Sequence, residues 1–274
     1  MAKRLKPIEL FLAVGLAATV GACGASTTAG GESGGNAEQS HTSMSAADHG
    51  GEGGEGGEGG EGGSSGNAEV DYMTSLALMK GHLMVAEELL TAGNAAQAEP
   101  HIGHPVDEIY GSIEGELAKR NVPEFKTTLT KLHDLAKSSP DSAQTQEQFK
   151  ASISAIDTAI AALPESDRTS PEFVMDVVVR TLKTAAEEYE AAIANNQIVE
   201  VVEYQDSRGF VLYADELYQG IADEMSKADP EAHKAIEASL SELKAVWPSV
   251  TPPKTPVKTP EEVNSLVSTI ELKS

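Results

Sequence analysis

Phe149, Ile153, Ile156, Ile160 and Leu163 recur at steps of 4, 3, 4 and 3. That spacing lines one side of an α-helix and cannot line one face of a strand, so it reads as the seam of a helical bundle. The same period returns along the chain. Leu76, Leu83 and Leu90 make one stripe of a first helix over about residues 71–92, and Leu78, Val85 and Leu89 make a second. A helix apolar on two sides belongs at the centre of a bundle. A second helix covers about 95–119, with a kink or restart expected around Pro100 and Pro105. A third starts near Pro123 with Phe125, Leu129, Leu132 and Leu135, and the seam above is the fourth. After a polar break at 164–171, Val174, Val177, Val178, Leu182, Ala185 and Tyr189 mark a fifth. A sixth is expected over Gln197 to about Lys227, with Gly209 inside it. Asp229-Pro230 and Thr259-Pro260-Glu261-Glu262 are start signals for the last two, on either side of a Pro-rich crossing at 251–256. Aromatics make up only 4% of the chain, which also disfavours a β-sandwich. The fold class expected is all-α.

The eight helices pair off. A shift of 102 residues lays Ala92-Gly93-Asn94 on Ala194-Asn195-Asn196, Glu88 on Glu190, Leu76 on Val178 and Met73 on Met175. The reading is a duplicated four-helix bundle, one half at 69–164 and the other at 170–274, although chance similarity between Ala-rich helices is the alternative.

Nothing of this kind precedes residue 69. Lys3, Arg4 and Lys6 lead an apolar run from Leu10 to Val20, too short to span a bilayer but suited to a secretory signal over 1–22. Val20-Gly21-Ala22-Cys23 resembles a bacterial lipobox, in which Cys23 is lipidated and becomes the first mature residue. The alternative is an ordinary signal peptide with an incidental cysteine. Residues 23–68 are rich in Gly, Ser and Glu and include a Gly-Gly-Glu repeat, a composition expected to stay disordered as a tether. The match of Gly51 to Gly56 to a dinucleotide fingerprint has no strand before it or helix after it and is incidental. The expected location is the cell envelope, held to the membrane by an N-terminal lipid.

Charge excludes some partners. Twenty basic residues face forty-three acidic ones, a net charge of -23, and removal of residues 1–22 leaves 17 against 42. No nucleic-acid partner is expected, because phosphate contacts need clustered cations. The single cysteine rules out a disulfide framework and any multi-cysteine metal site within the chain. No His-Glu-x-x-His motif or phosphate loop occurs, so no enzyme activity is expected.

Under the 102-residue shift His101 falls on Glu203 and His104 on Asp206. Both pairs have i, i+3 spacing, and Glu108 follows His104 by four, so each set projects from one helical face. Imidazole with carboxylate suits iron, zinc or copper, and the facing helices of a bundle are where such sites form. His101, His104, Glu108, Glu203 and Asp206 are therefore the candidate metal ligands. Against this, His101 and His104 flank Gly103 and precede Pro105, so they could be turn residues, and Glu203 and Asp206 could pair with Arg208. His82, on an apolar stripe, reads as a hydrogen-bonded core histidine. His133 and His233 read as surface residues near helix ends.

Gly81-His82, the stretch Glu203-Tyr204-Gln205-Asp206-Ser207-Arg208-Gly209-Phe210 and the paired four-helix plan resemble imelysin-type extracytoplasmic proteins, over residues 70–274. The rear stretch also resembles the soluble domain attached to some bacterial iron permeases. The imelysin group's Gly-x-His-x-x-Glu motif is not reproduced, since Gly81 directly precedes His82 and the next acid is Glu87; His82 is not carried over as a ligand. The resemblance implies a non-enzymatic lipoprotein that handles a metal, iron before copper or zinc, beside an envelope transporter or permease. The competing expectation is a metal-free helical module that docks a protein partner.

Overall fold

The computed structural model describes residues 64–274; the expected signal, Cys23 and nearly all of the expected tether lie outside them. Asn67 opens the first helix, its side chain accepting the Glu69 N–H at 3.1 Å. Four helices form the front of the body: α1 (Ala68–Thr91), α2 (Ala95–His104), α4 (Lys126–Ser138) and α5 (Ala143–Ala161), with α3 (Tyr110–Lys119) continuing α2. Each of the four packs on the next and α5 returns to α1. After the short α6 (Glu165–Arg168), the rear repeats this plan with α7 (Pro171–Ala191), α8 (Val201–Gln219), α10 (Pro230–Val246) and α11 (Pro260–Glu271). Here too each packs on the next, and α11 returns to α7. The two sets of four share one cyclic packing order. Leu76 and Val178, paired by the 102-residue shift, are both fully buried.

The halves meet through α1, which lies along α8 and also touches α7. This explains its two apolar stripes: from Val70 to Leu89 it is buried almost all round. The α1–α8 contact is close because two glycines face each other. A Cβ on Gly209 would stand 2.3 Å from the Gly81 carbonyl oxygen, and one on Gly81 would stand 3.0 Å from the Gly209 carbonyl carbon. Backbones approach this closely only where neither residue has a side chain.

Two expectations are corrected. The sixth helix does not begin at Gln197. Asn195 and Asn196 both take positive φ (52° and 58°), which makes a tight reversal, and Ile193–Ala194 pairs antiparallel with Gln197–Ile198 before α8 starts. Nor does it run unbroken to Lys227: α8 ends at Gln219, Gly220 follows as its cap, and α9 (Ala222–Ala228) is a separate turn. The start signals behave as their side chains dictate. Asp229 accepts from the Glu231 and Ala232 N–H groups, and Thr259 with Glu262 closes a reciprocal capping box ahead of α11.

Pro105 interrupts the second helix in a specific way. It has no N–H to give His101, and its ring crowds that carbonyl, so an α-turn cannot continue. The chain passes through a π-helical turn over Pro105–Ile109, with the Tyr110 N–H reaching back to the Pro105 carbonyl. No helix among the described residues is long and apolar enough to cross a membrane.

Candidate metal centre

The Gly81–Gly209 contact sets the distance between α1 and α8, and His82 sits immediately after one glycine while Asp206 sits one turn before the other. His82 Nδ1 lies 2.5 Å from Asp206 Oδ1. From α2, which packs on α1, His101 Nδ1 reaches the same oxygen at 2.7 Å. His104, one turn along, brings its Nδ1 to 3.3 Å from Asp206 Oδ2. Three imidazoles thus present the same nitrogen to one carboxylate, with one ligand atom from each of the four residues within 4.8 Å of the others.

The cluster is enclosed. The side chains of His82 and His101 are fully buried, Asp206 is 1% exposed, and His104 keeps 20% of its surface. The His104 ring stands edge-on to His82 at 5.0 Å, and the Phe210 ring also meets His82 edge-on, at 4.9 Å.

His101 is oriented from behind. Its Nε2 lies 2.9 Å from Gln205 Oε1, while the Gln205 amide nitrogen donates to the Val250 carbonyl at 3.1 Å. The Val250 bond fixes which end of the amide faces His101: an oxygen, which can only accept. His101 Nε2 therefore carries a hydrogen. Its Nδ1 then either donates to Asp206 or offers a lone pair to an ion, the arrangement by which outer-shell partners commonly orient ligand histidines.

Electrostatics favour an ionised carboxylate. Burial acts to raise the Asp206 carboxyl, but the charges of His82 and His101 and the bond from His101 outweigh it and hold it well below the usual range. Burial likewise acts to lower His104; the Asp206 carboxylate opposes this and wins, so His104 is raised. One feature of the cluster is unsatisfied. His104 Nδ1 and Asp206 Oδ2 approach each other too obliquely to hydrogen-bond, and both atoms are buried without a hydrogen-bond partner. An unsatisfied buried charged oxygen costs on the order of 1–3 kcal/mol or more. A cation held between the two atoms would remove that cost, so the residues present fit a metal.

The candidate ligands read from sequence separate here. His101, His104 and Asp206 come together. Glu108 does not join them: its Oε1 lies 3.8 Å from His104 Nε2, the nitrogen on the far side of the ring, and its side chain is about half exposed (47%). Glu203 is also outside the group, partly exposed in the first turn of α8, where a carboxylate suits the helix dipole. Arg208, the alternative partner for Glu203 and Asp206, instead bonds Glu88 and the Trp247 carbonyl. His82 is a hydrogen-bonded core histidine, as its stripe implies, and is also the fourth member of the cluster. The sequence hint was Gly81 beside it and Gly209 in an apolar helix, two glycines that make sense only as a contact. His133 is not near a helix end; it lies within α4, its Nε2 2.5 Å from Glu99 Oε1.

Residues 164–274 match a family model, the iron permease-associated 4-helix bundle domain. The match spans α6 to α11, the rear half of the body. It supports an iron-uptake context for this helical protein; it does not extend to the imelysin likeness. No curated protein and no solved structure matches the chain. The matched half supplies Gln205 and Asp206, and the three imidazoles come from the other half.

Proposed function

We propose that the chain binds a transition-metal ion, iron first, at His82, His101, His104 and Asp206, and serves an envelope iron permease as a non-enzymatic accessory. The observation that carries this is the sealed Nδ1 cluster with its unsatisfied carboxylate oxygen. Three imidazoles and one carboxylate suit iron, zinc or copper and not magnesium or calcium, whose ligands are oxygens. The match to the iron permease-associated bundle favours iron among them. The excess of acidic residues draws cations toward the body. The lipobox-like Val20-Gly21-Ala22-Cys23 supports a lipid anchor that keeps the body close to a membrane-bound partner.

The test is a titration of the metal-free chain with Fe²⁺ under anaerobic conditions, Zn²⁺ and Cu²⁺, repeated with Asp206→Asn and with the His101→Ala/His104→Ala pair. One ion per chain is expected, with each variant losing more than the roughly 10–100-fold that removal of an outer partner costs. If the parent takes up no metal, the cluster is a structural histidine–aspartate network and the metal-free docking module becomes the better reading.

A further inference from the structure

The four ligand side chains are not equally reachable. Three are sealed, and of the four only His104 keeps surface in contact with solvent. Its two ring nitrogens lie on opposite sides of that boundary. Nδ1 faces Asp206 Oδ2 inside at 3.3 Å, and Nε2 faces Glu108 Oε1 outside at 3.8 Å. On the α4 flank of α2 the His133 ring packs over Gly103, 3.0 Å from where a Cβ would stand, and the bond to Glu99 holds it there. His104 is also held less firmly than its neighbour. His101 is bonded through both nitrogens, whereas His104 Nδ1 has no hydrogen-bond partner, so its ring can turn without breaking a bond at that atom.

We propose that Glu108 and His104 form the access route of the metal, Glu108 and the outer nitrogen of His104 taking the ion first and His104 passing it to the inner group. This rests on the metal reading above and adds a kinetic role for Glu108, which that reading leaves outside the site. An incoming ion must shed water before it can enter a sealed cluster. A carboxylate beside an imidazole at the mouth replaces part of that hydration while the ion is still near solvent. Because Glu108 stands on the path and not at its end, it lowers the barrier in both directions and leaves the end state unchanged.

The experiment is stopped-flow mixing of the full chain with Zn²⁺ and with anaerobic Fe²⁺. It is followed through Trp247, the chain's single tryptophan, whose Nε1–H bonds Ser207 next to Asp206. Dissociation is read independently with a chromophoric chelator. Glu108→Gln is expected to slow association and dissociation by the same factor, about 5–10-fold, within the range over which association rates of related complexes vary. The equilibrium constant stays within about twofold of the parent. Asp107→Asn, which removes the same charge one residue away on the Gly103 side, is expected to leave both rates unchanged. Unchanged rates in Glu108→Gln would overturn the route. So would faster dissociation alone, which would make Glu108 a ligand of the bound state, or equal slowing in Asp107→Asn, which would reduce the effect to general charge. A parent chain that binds neither ion removes the metal reading and this one with it, whereas a parent that binds and a Glu108→Gln variant with parental rates removes this one alone.

Discussion

Gly209→Ala tests whether the approach of α1 to α8 builds the cluster. The added methyl would stand 2.3 Å from the Gly81 carbonyl oxygen, 2.8 Å from its carbon and 2.8 Å from Val85 Cγ2. Ordinary contact needs about 1 Å more, and two of the three obstructing atoms are backbone, so the helices must separate by roughly that amount. His82 and Asp206 flank the crossing, and their 2.5 Å bond would open to about 3.5 Å, past the reach of a hydrogen bond. Overpacking costs about 1–3 kcal/mol and loss of a charged hydrogen bond about 1.5–3, while alanine returns about 1 through helix propensity. The net loss is on the order of 2–4 kcal/mol, read by urea unfolding of the metal-free chain. Metal affinity should fall with it. Gly81→Ala should be milder, because its methyl first meets a side chain, Phe210 Cδ1 at 2.6 Å. Gly111→Ala and Gly115→Ala, in α3 with open space around them, should each stabilise by about 0.5–1 kcal/mol. A Gly209→Ala chain within about 0.5 kcal/mol of the parent and with parental metal uptake would refute the reasoning.

Gln205→Leu removes the acceptor behind His101 without touching the four inner residues, so affinity should drop about 10–100-fold; unchanged affinity would mean that Gln205 does not orient the ring. The metal-free chain should lose thermal stability as pH rises above about 6.5, because a raised histidine stabilises fully below its unfolded value of about 6.5 and ceases to as pH climbs through its folded one. Asp206 contributes no change in that window, since a depressed carboxyl loses its contribution only as pH falls through its folded value, well below the usual carboxylate range. Asp206→Asn should flatten the dependence, and saturating Zn²⁺ should reverse it, because protons compete with the ion for His104. Melting temperatures of the metal-free chain that are level across that window would contradict this assignment.

The sequence by itself determined the helices, their order and the repeated plan, because each depends on local period and local chemistry. Apolar steps of three and four require helices wherever they occur, and Asp229, Thr259 and Glu262 cap neighbouring backbone without outside help. The spacing of His101 and His104 was legible for the same reason. The reversal at Asn195-Asn196 was missed because a two-residue turn leaves almost no periodic trace. Which acid joins the histidines was not local. Glu203 and Asp206 share a helical face, and only the placement of α8 against α1 and α2 brings Asp206 into the buried group and leaves Glu203 in the first turn. His82 depended on tertiary structure most of all. Its partner lies 124 residues away, and the two meet because glycines on separate helices permit a backbone contact that no pattern within either helix specifies.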